Sequence, residues 1–343
     1  MKRTFLNVVV LCSVLGMTTV LSSGAAPAYA LSPPPVVKSS FNLGCRPCEP
    51  DEGEGEQVST AYNIGKTRIT FRDPARKCKK IPTRIYYPAD KDGRNVPLAS
   101  GDTKFPVIVF GHGYLIPWNK YDYIYQAFVK NGYIVAFPQT GDELFPDHED
   151  FGRDLAFVVD SLFAEGATCG SVFYERVAQA SAVMGHSMGG GAAFLATGYS
   201  SNITTVVTLA PAETRPSAIV AAGGVLAPVL IFAGGKDEVT PPESNQIPMY
   251  DAVPWPRKYL VTIVEASHCG FAECSFTCSI GELFVCACCS FLDKGIQQDT
   301  VISLALPWLN YHLKDIASEE TTFLDALNAE ISSGLITAQG ACP

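Results

Sequence analysis

The chain has 343 residues, of which 47% are hydrophobic and 17% charged, values that are ordinary for a globular protein and exclude disorder or a collagen-like repeat for its bulk. The length allows two domains, although α/β folds often form one unit of this size. Lysine and arginine number 25 against 34 aspartate and glutamate residues, a net charge of −9 without any basic block, so nucleic acids and anionic membranes are poor partners.

Residues 1–30 have the pattern of a secretory signal peptide. A short basic start precedes an apolar run at 5–21, and Ala28-Tyr29-Ala30 fits a small-residue cleavage site. An uncleaved membrane anchor is the alternative, but polar residues interrupt the run and make it marginal for crossing a bilayer. No other segment is long and apolar enough to span. We expect a mature protein that starts at Leu31 and is secreted, either outside the cell or into a periplasm.

The remainder of the chain divides into a short lead and one domain. Residues 31–60 are polar and rich in proline and glycine, without periodicity. From residue 61 to 343 short apolar strands alternate with helical stretches, which predicts a mostly parallel sheet covered by helices on both faces. Strands are predicted at 67–71 and 84–87, both as edge strands, and at 106–111, 133–138, 181–185, 205–209, 229–233 and 258–264. Helices are predicted at 121–131, 150–165, 189–197, 297–313 and 319–331.

The cysteines indicate an oxidising compartment. Loss of Cys12 with the leader leaves an odd number, most of which should pair, with at least one free or paired between molecules. Six cysteines lie within 269–289, which we interpret as part of a disulfide-stapled insertion at 269–296. Zinc at Cys45-x-x-Cys48 or at Cys286-x-Cys288-Cys289 is an alternative, but no second pair has zinc-ribbon spacing. We therefore expect neither a metal nor another cofactor.

The segment Gly185-His186-Ser187-Met188-Gly189 carries the clearest chemical signal. It matches G-x-S-x-G, the sharp turn from a strand into a helix that presents a serine nucleophile at its tip. Side chains at the two glycines would collide where strand and helix approach each other. The N–H of Met188 lies at a helix N-terminus, where partial positive charge stabilises an oxyanion.

A serine nucleophile needs a base, and in this type of fold the acid and then the histidine follow the serine along the chain. Of the five histidines only His268 and His312 come after Ser187. His312 falls within a predicted helix and is interpreted as a helix-surface residue, whereas His268 lies in a loop after a strand and is the expected base. His112 precedes the serine, and we expect it to shape its loop rather than to transfer protons.

Asp237 is the expected acid. It stands at a turn directly after a buried strand, where its carboxylate would accept the Nδ1–H of His268, fix the tautomer and stabilise the imidazolium. Glu238 is the nearest alternative, and Asp251 and Glu265 are weaker ones.

The remaining candidates lie around the reacting groups. The second oxyanion donor is expected in the glycine-flanked loop after strand 106–111, where the N–H of Tyr114 is the best candidate. Tyr114, Trp118, Met188 and Phe271 are candidates to line the substrate cleft, although such side chains serve equally well as packing groups.

These motifs resemble those of the α/β-hydrolases, and within them the polyester-hydrolysing cutinases, with dienelactone-hydrolase-like and chlorophyllase-like esterases as wider relatives. The cutinase elbow is typically Gly-His-Ser-Met-Gly-Gly-Gly, which is the sequence at 185–191, and Gly113-Tyr114 matches the oxyanion loop. Asp237 and Ser267-His268 match the acid and histidine segments. The resemblance covers about residues 65–268 well and the helices after Gln297 loosely. It implies an α/β-hydrolase fold and a small esterase without a large lid that acts through an acyl-enzyme.

Two features depart from the cutinase pattern. Cutinases carry Pro-Trp after the strand that corresponds to 205–209, and that tryptophan stacks on aromatic polymer units. Pro211-Ala212 stands here instead, which leaves cleavage of aromatic polyesters an open question. The loop after the catalytic histidine is short in the family, whereas here it carries the Cys-rich insertion. We hypothesise that a disulfide at Cys269 anchors His268.

The sequence thus predicts a secreted carboxylic ester hydrolase, cutinase-like or lipase-like, that acts on a small-molecule, lipid or polyester ester. Another acyl substrate, such as a thioester or an amide, is an alternative on the same fold. A non-catalytic, disulfide-rich secreted binding protein is a second alternative, although retention of all three triad residues argues against it. The natural substrate, the disulfide pairs and the oligomeric state stay open.

Overall fold

The computed structural model describes residues 61–254, 256–273 and 290–340. The predicted signal peptide, the polar lead and most of the Cys-rich insertion lie outside these residues. The strands are β1 (Asn63–Asp73), β2 (Lys79–Ala89), β3 (Gly93–Arg94), β4 (Phe105–Gly111), β5 (Ile134–Pro138), β6 (Val177–His186), β7 (Thr205–Leu209), β8 (Val229–Gly234), β9 (Lys258–Ile263) and β10 (Ile336–Gly340). The α-helices are α1 (Asp122–Lys130), α2 (His148–Ala167), α3 (Met188–Ala196), α4 (Ala218–Ala222), α5 (Gln246–Ala252), α6 (Lys294–Lys314) and α7 (Ser318–Ser333).

The described strands form one sheet in the order β10-β9-β8-β7-β6-β4-β5-β2-β1-β3. The segment from β5 through β4 and β6 to β9 is parallel throughout. Every residue of β4, β5, β7 and β8 is buried, as expected for strands covered on both faces. The predicted α/β fold with a mostly parallel sheet is confirmed.

Alternate residues of the central strands supply two cores, one on each face of the sheet. Val107 and Val109 of β4 point into a core that α2, α3, α4 and α5 cover. Ile108 and Phe110 point into the other core, which α1, α6 and α7 cover. The period of two along the strand thus divides the apolar residues between both helical layers. Among the described helices none is sufficiently long and apolar to cross a membrane.

The structure corrects several details of the sequence analysis. Strand β2 is not an edge strand, because it pairs with β1 on one side and β5 on the other, and the two-residue β3 forms that edge. The short helices α4 and α5 and the edge strand β10 were not predicted. His312 lies in a helix, as expected, but it is half-buried rather than on the surface, and its ring lies 4.3 Å from that of Trp308.

A cluster of ion pairs ties the β1–β2 hairpin to α2. Arg76 lies 2.7 Å from a carboxylate oxygen of both Asp150 and Asp154, and Lys79 also pairs with both acids. The side chain of Asp154 is fully buried, whereas that of Asp150 is partly exposed. The buried charge of Asp154 is stable only while its cationic partners remain, because nothing else compensates for its removal from water.

We expect Asp154→Asn to lower the free energy of unfolding by about 3 kcal/mol, since it leaves two cations facing one fewer carboxylate in a largely buried site. Urea denaturation measures the change. Glu149→Gln is the matched control, because Glu149 pairs with Arg153 on the exposed face of the same helix, and such pairs contribute little. Equal losses in the two variants would contradict this role for the buried cluster.

Candidate active site

Ser187 stands between β6 and α3 in a strained backbone conformation, with φ 55° and ψ −121°. Its N–H donates to the carbonyl of Leu209 at 2.9 Å, and its own carbonyl accepts from the N–H groups of Gly191 at 3.0 Å and Ala212 at 2.9 Å. Bonds to the end of β7 and to α3 therefore hold the strained peptide in place. This is the strand-to-helix turn that the sequence predicted.

Glycines make the turn possible because backbone segments approach each other closely there. A Cβ atom at Gly185 would clash with the carbonyl of Gly189, and one at Gly189 would clash with the carbonyl of Gly111. The first turn of α3 therefore packs directly against the end of β4. The same Cβ atom at Gly189 would lie 2.6 Å from the carbonyl oxygen of His112, so the residue after Met188 packs against the start of the loop that carries Tyr114.

Asp237 and His268 form a buried pair at the same edge of the sheet. Nδ1 of His268 lies 2.7 Å from Oδ2 of Asp237, and both side chains are almost fully buried. Asp237 follows β8 and His268 follows β9, which are neighbouring parallel strands. The pairing directs Nε2 of His268 away from the carboxylate, as a base that serves a nucleophile requires. Glu238, the nearest alternative acid, is exposed.

Thr240 and Gln246 complete the surroundings of this acid, and the sequence analysis missed both. The N–H of Thr240 donates to Oδ1 of Asp237 at 2.7 Å, and its hydroxyl donates to Oδ2 at 2.9 Å. Gln246 donates to the carbonyl of Pro211 at 2.7 Å, which ties the acid's loop to the loop after β7. The Asp-x-x-Thr spacing is typical of a side chain that bonds to nearby backbone, and that signal could have found Thr240.

His186 is a further buried member of the site, and no role was predicted for it. Its ring centre lies 4.7 Å from that of His268. Burial, followed by the neighbouring His268, holds the pKa of His186 well below its usual value. His186 is therefore a neutral imidazole next to the candidate base.

The remaining predicted residues lie at different depths. Tyr114 is 43% exposed, and Trp118 is half-buried between Tyr86 and Phe137. Phe271 is fully buried with its ring 6.0 Å from that of His186. Phe271 therefore packs against His186 inside the core. The expectation that it lines an open cleft does not fit this packing.

His112 holds the loop after β4. Its ring nitrogens lie 2.9 Å from the carbonyl oxygen of Gly113 and 3.0 Å from that of Thr140. Carbonyl oxygens only accept, so a ring N–H donates to one of them, and this bond to backbone supports the expectation that the histidine shapes the loop. Across the described ranges there is no group of three or more His, Cys, Asp or Glu side chains that could hold a metal ion.

A strained serine, a carboxylate–imidazole pair and a helix N-terminus at one sheet edge are the components that acyl transfer requires. Residues 82–305 match the protein-family model described as PETase, PET hydrolase-like. No curated protein matches the chain. Because the family match covers more than half of the sequence, the chain belongs to this α/β-hydrolase esterase family, whose activity is ester hydrolysis.

We expect Gly189→Ala to lower ester hydrolysis by about 100-fold, because relief of the clash with the carbonyl of Gly111 shifts the loop and α3 relative to each other, and a misplacement of about 1 Å costs about that much in rate. Initial rates on a p-nitrophenyl ester measure the loss. Gly198→Ala is the control, since a methyl group there meets only an ordinary contact, 3.5 Å from the carbonyl of Leu195. Comparable activity in both variants would show that the close approach is not required.

Proposed function

We propose that this member of the PET hydrolase-like family is a secreted serine esterase, in which Ser187, His268 and Asp237 cleave carboxylic esters through an acyl-enzyme. The observation that carries the proposal is the 2.7 Å contact between His268 and Asp237, at the sheet edge where Ser187 takes its strained conformation. Ser187 and His268 both follow parallel strands at this edge of the sheet, and an imidazole that a buried carboxylate orients there can serve to activate a serine hydroxyl.

In the first half-reaction Ser187 Oγ attacks the ester carbonyl carbon while His268 Nε2 takes the hydroxyl proton. The carbonyl oxygen becomes an oxyanion, which accepts hydrogen bonds from the N–H groups of Tyr114 and Met188. His268 then gives its proton to the departing alcohol as the carbon–oxygen bond breaks, and the acyl group stays on Ser187. Asp237 keeps the Nδ1–H of His268 engaged throughout.

In the second half-reaction water takes the place of the alcohol. His268 removes a proton from the water as the water attacks the acyl carbon, and the same two N–H groups hold the second oxyanion. Collapse of this intermediate returns the proton to Ser187 and releases the carboxylic acid. The cycle needs no cofactor.

The surface next to the oxyanion loop favours apolar esters. Tyr114 and Leu115 are exposed there, and the hydroxyl of Tyr114 donates to the carbonyl of Leu144 at 2.7 Å. Leu144 and Phe145 are 61% and 84% exposed. Together with Trp118, this apolar rim suits a lipid or polyester substrate.

Secretion is part of the proposal because of residues 1–30 and the cysteine pattern. Cys269 directly follows the base and is disulfide-bonded, which supports the idea that a covalent link anchors His268. Cys78 and Cys169 are free and exposed.

We expect a reducing agent to lower both esterase activity and melting temperature, because the segment after His268 loses its covalent anchor. Thermal unfolding and initial rates with and without the reductant measure both effects. A Cys78→Ala/Cys169→Ala variant, which lacks these two free thiols, should respond in the same way. If neither quantity changes, the anchoring role is wrong.

We expect Ser187→Ala to abolish hydrolysis of p-nitrophenyl esters by protein that starts at Leu31. Asp237→Asn should reduce kcat by about 10⁴-fold, because it supports the wrong tautomer of His268. Glu238→Gln, the exposed neighbour, is the matched control and should keep its activity. A series from acetate to palmitate separates a short-acyl or cutinase-like site from a lipase.

Folded wild-type protein that hydrolyses none of these esters would contradict the proposed function. Folding is confirmed by circular dichroism on each variant. If Ser187→Ala keeps its esterase activity, Ser187 is not the nucleophile, even though the wild-type protein cleaves esters.

A further inference from the structure

A continuous chain of hydrogen bonds runs through the core beneath the site. The N–H of Gly113 donates to the hydroxyl of Tyr121 at 2.9 Å, and this hydroxyl lies 2.9 Å from Nδ1 of His186. On the other side of the ring, Nε2 of His186 lies 3.1 Å from the carbonyl oxygen of His268. Tyr121 and His186 are both fully buried, so no water competes for these bonds.

The direction of each bond follows from chemistry. The carbonyl oxygen of His268 can only accept, so the single hydrogen of the neutral imidazole of His186 lies on Nε2 and Nδ1 is unprotonated. The hydroxyl of Tyr121 therefore donates to Nδ1 of His186, and its oxygen accepts from the N–H of Gly113. The lowered pKa of His186 and the raised pKa of Tyr121, both caused first by burial, agree with two neutral side chains.

The chain links the three segments that the proposed mechanism needs. Gly113 precedes Tyr114, whose N–H is a proposed oxyanion donor, and His186 precedes Ser187. The far end of the chain is the backbone of His268 itself. These segments follow three different strands, β4, β6 and β9. The contact between Gly111 and Gly189 joins only the first two of these segments, and the hydrogen-bond chain adds the backbone of His268 to them.

Gly113 has particular need of an external anchor, because glycine leaves the backbone before Tyr114 conformationally free. A Cβ atom at this position would lie 3.1 Å from Nδ1 of His186 and 3.2 Å from the hydroxyl of Tyr121. The loop therefore lies directly against the two side chains. The side chain of Ile116 contacts the same position at 3.1 Å, so Gly113 sits against two polar atoms and one apolar group.

We propose that Tyr121 and His186 are positioning residues that fix the oxyanion loop, Ser187 and His268 relative to one another through this directed hydrogen-bond chain. The inference rests on the proposed esterase function for its catalytic consequence. Neither side chain transfers a proton in the reaction. Their effect is on geometry, and misplacement by about 1 Å is enough to lower the rate of a well-aligned reaction by about 100-fold.

We expect Tyr121→Phe to lower kcat on p-nitrophenyl esters by about 10-fold to 100-fold, with KM changed by less than about threefold, because the defect lies in alignment rather than in substrate contact. Tyr133→Phe is the matched control. Tyr133 lies in the same core and is fully buried, and its hydroxyl donates to Asn310 at 2.7 Å, outside the chain described above. Both variants lose one hydroxyl, so equal thermal destabilisation with unequal kcat isolates the positioning effect.

Two variants of His186 test the middle of the chain. His186→Gln keeps an amide that can accept from Tyr121 and donate to His268, whereas His186→Leu keeps only apolar bulk. We expect glutamine to retain at least about fivefold more kcat than leucine. Equal kcat in these two variants would overturn the inference, and so would equal kcat in Tyr121→Phe and Tyr133→Phe. The proposed function would stand in either case, because it depends on the activity of the wild-type protein.

The tautomer of His186 gives a test that does not depend on turnover. Nitrogen-15 NMR on the intact protein should show unprotonated Nδ1 and protonated Nε2 for His186 across the pH range in which an ordinary histidine titrates. Titration of this ring near its ordinary pKa, or the opposite tautomer, would refute the chain of bonds. If wild-type protein cleaves no ester, the proposed function fails. The NMR measurement still shows whether the hydrogen-bond chain is present.

Discussion

The contact between the carbonyl of Gly111 and the backbone of Gly189 is the constraint on which the site depends. It exists only because both α3 and the end of β4 lack side chains at that point. The contact fixes the first turn of α3 against the oxyanion loop. Ser187 and the N–H of Met188 are therefore held in a fixed position relative to Tyr114. A site built this way is rigid before substrate arrives, and pre-organised donors avoid the cost of reorganisation during the reaction.

The other half of the site is organised by polar groups rather than by close backbone packing. Four donors surround the carboxylate of Asp237: the N–H groups of Val239 and Thr240, the hydroxyl of Thr240 and the ring N–H of His268. Burial makes each of these bonds important, because a buried polar group without a partner is destabilising. The same principle applies below the serine, where Tyr121 and His186 connect backbone segments. Hydrogen bonds from several neighbouring groups thus hold Asp237 and His268 in place.

Local patterns predicted the parts of this structure that depend on local sequence. The eight predicted strands overlap β1, β2 and β4 to β9, and the elbow at Ser187 was visible from its glycines and its apolar strand. Strand β10 was missed because it is short, three of its five residues are exposed, and it gains stability from pairing with β9. The hydrogen bond between Tyr121 and His186 joins residues 65 positions apart, so no periodic pattern in the sequence predicts it. Phe271 was misplaced for a similar reason, since a sequence gives the size of an aromatic ring but not which side of a loop packs inward.

The central claim is that Ser187 forms a covalent bond with the acyl carbon, and inhibition by a p-nitrophenyl alkylphosphonate tests it most directly. The phosphonate is attacked as an ester would be, releases p-nitrophenol and leaves a stable adduct that resembles the tetrahedral intermediate. The account predicts one phosphonyl group per chain, located by peptide mass spectrometry on Ser187, with esterase activity lost in proportion to labelling. Complete inactivation with the adduct on another residue, or steady ester turnover by fully labelled protein, would contradict it.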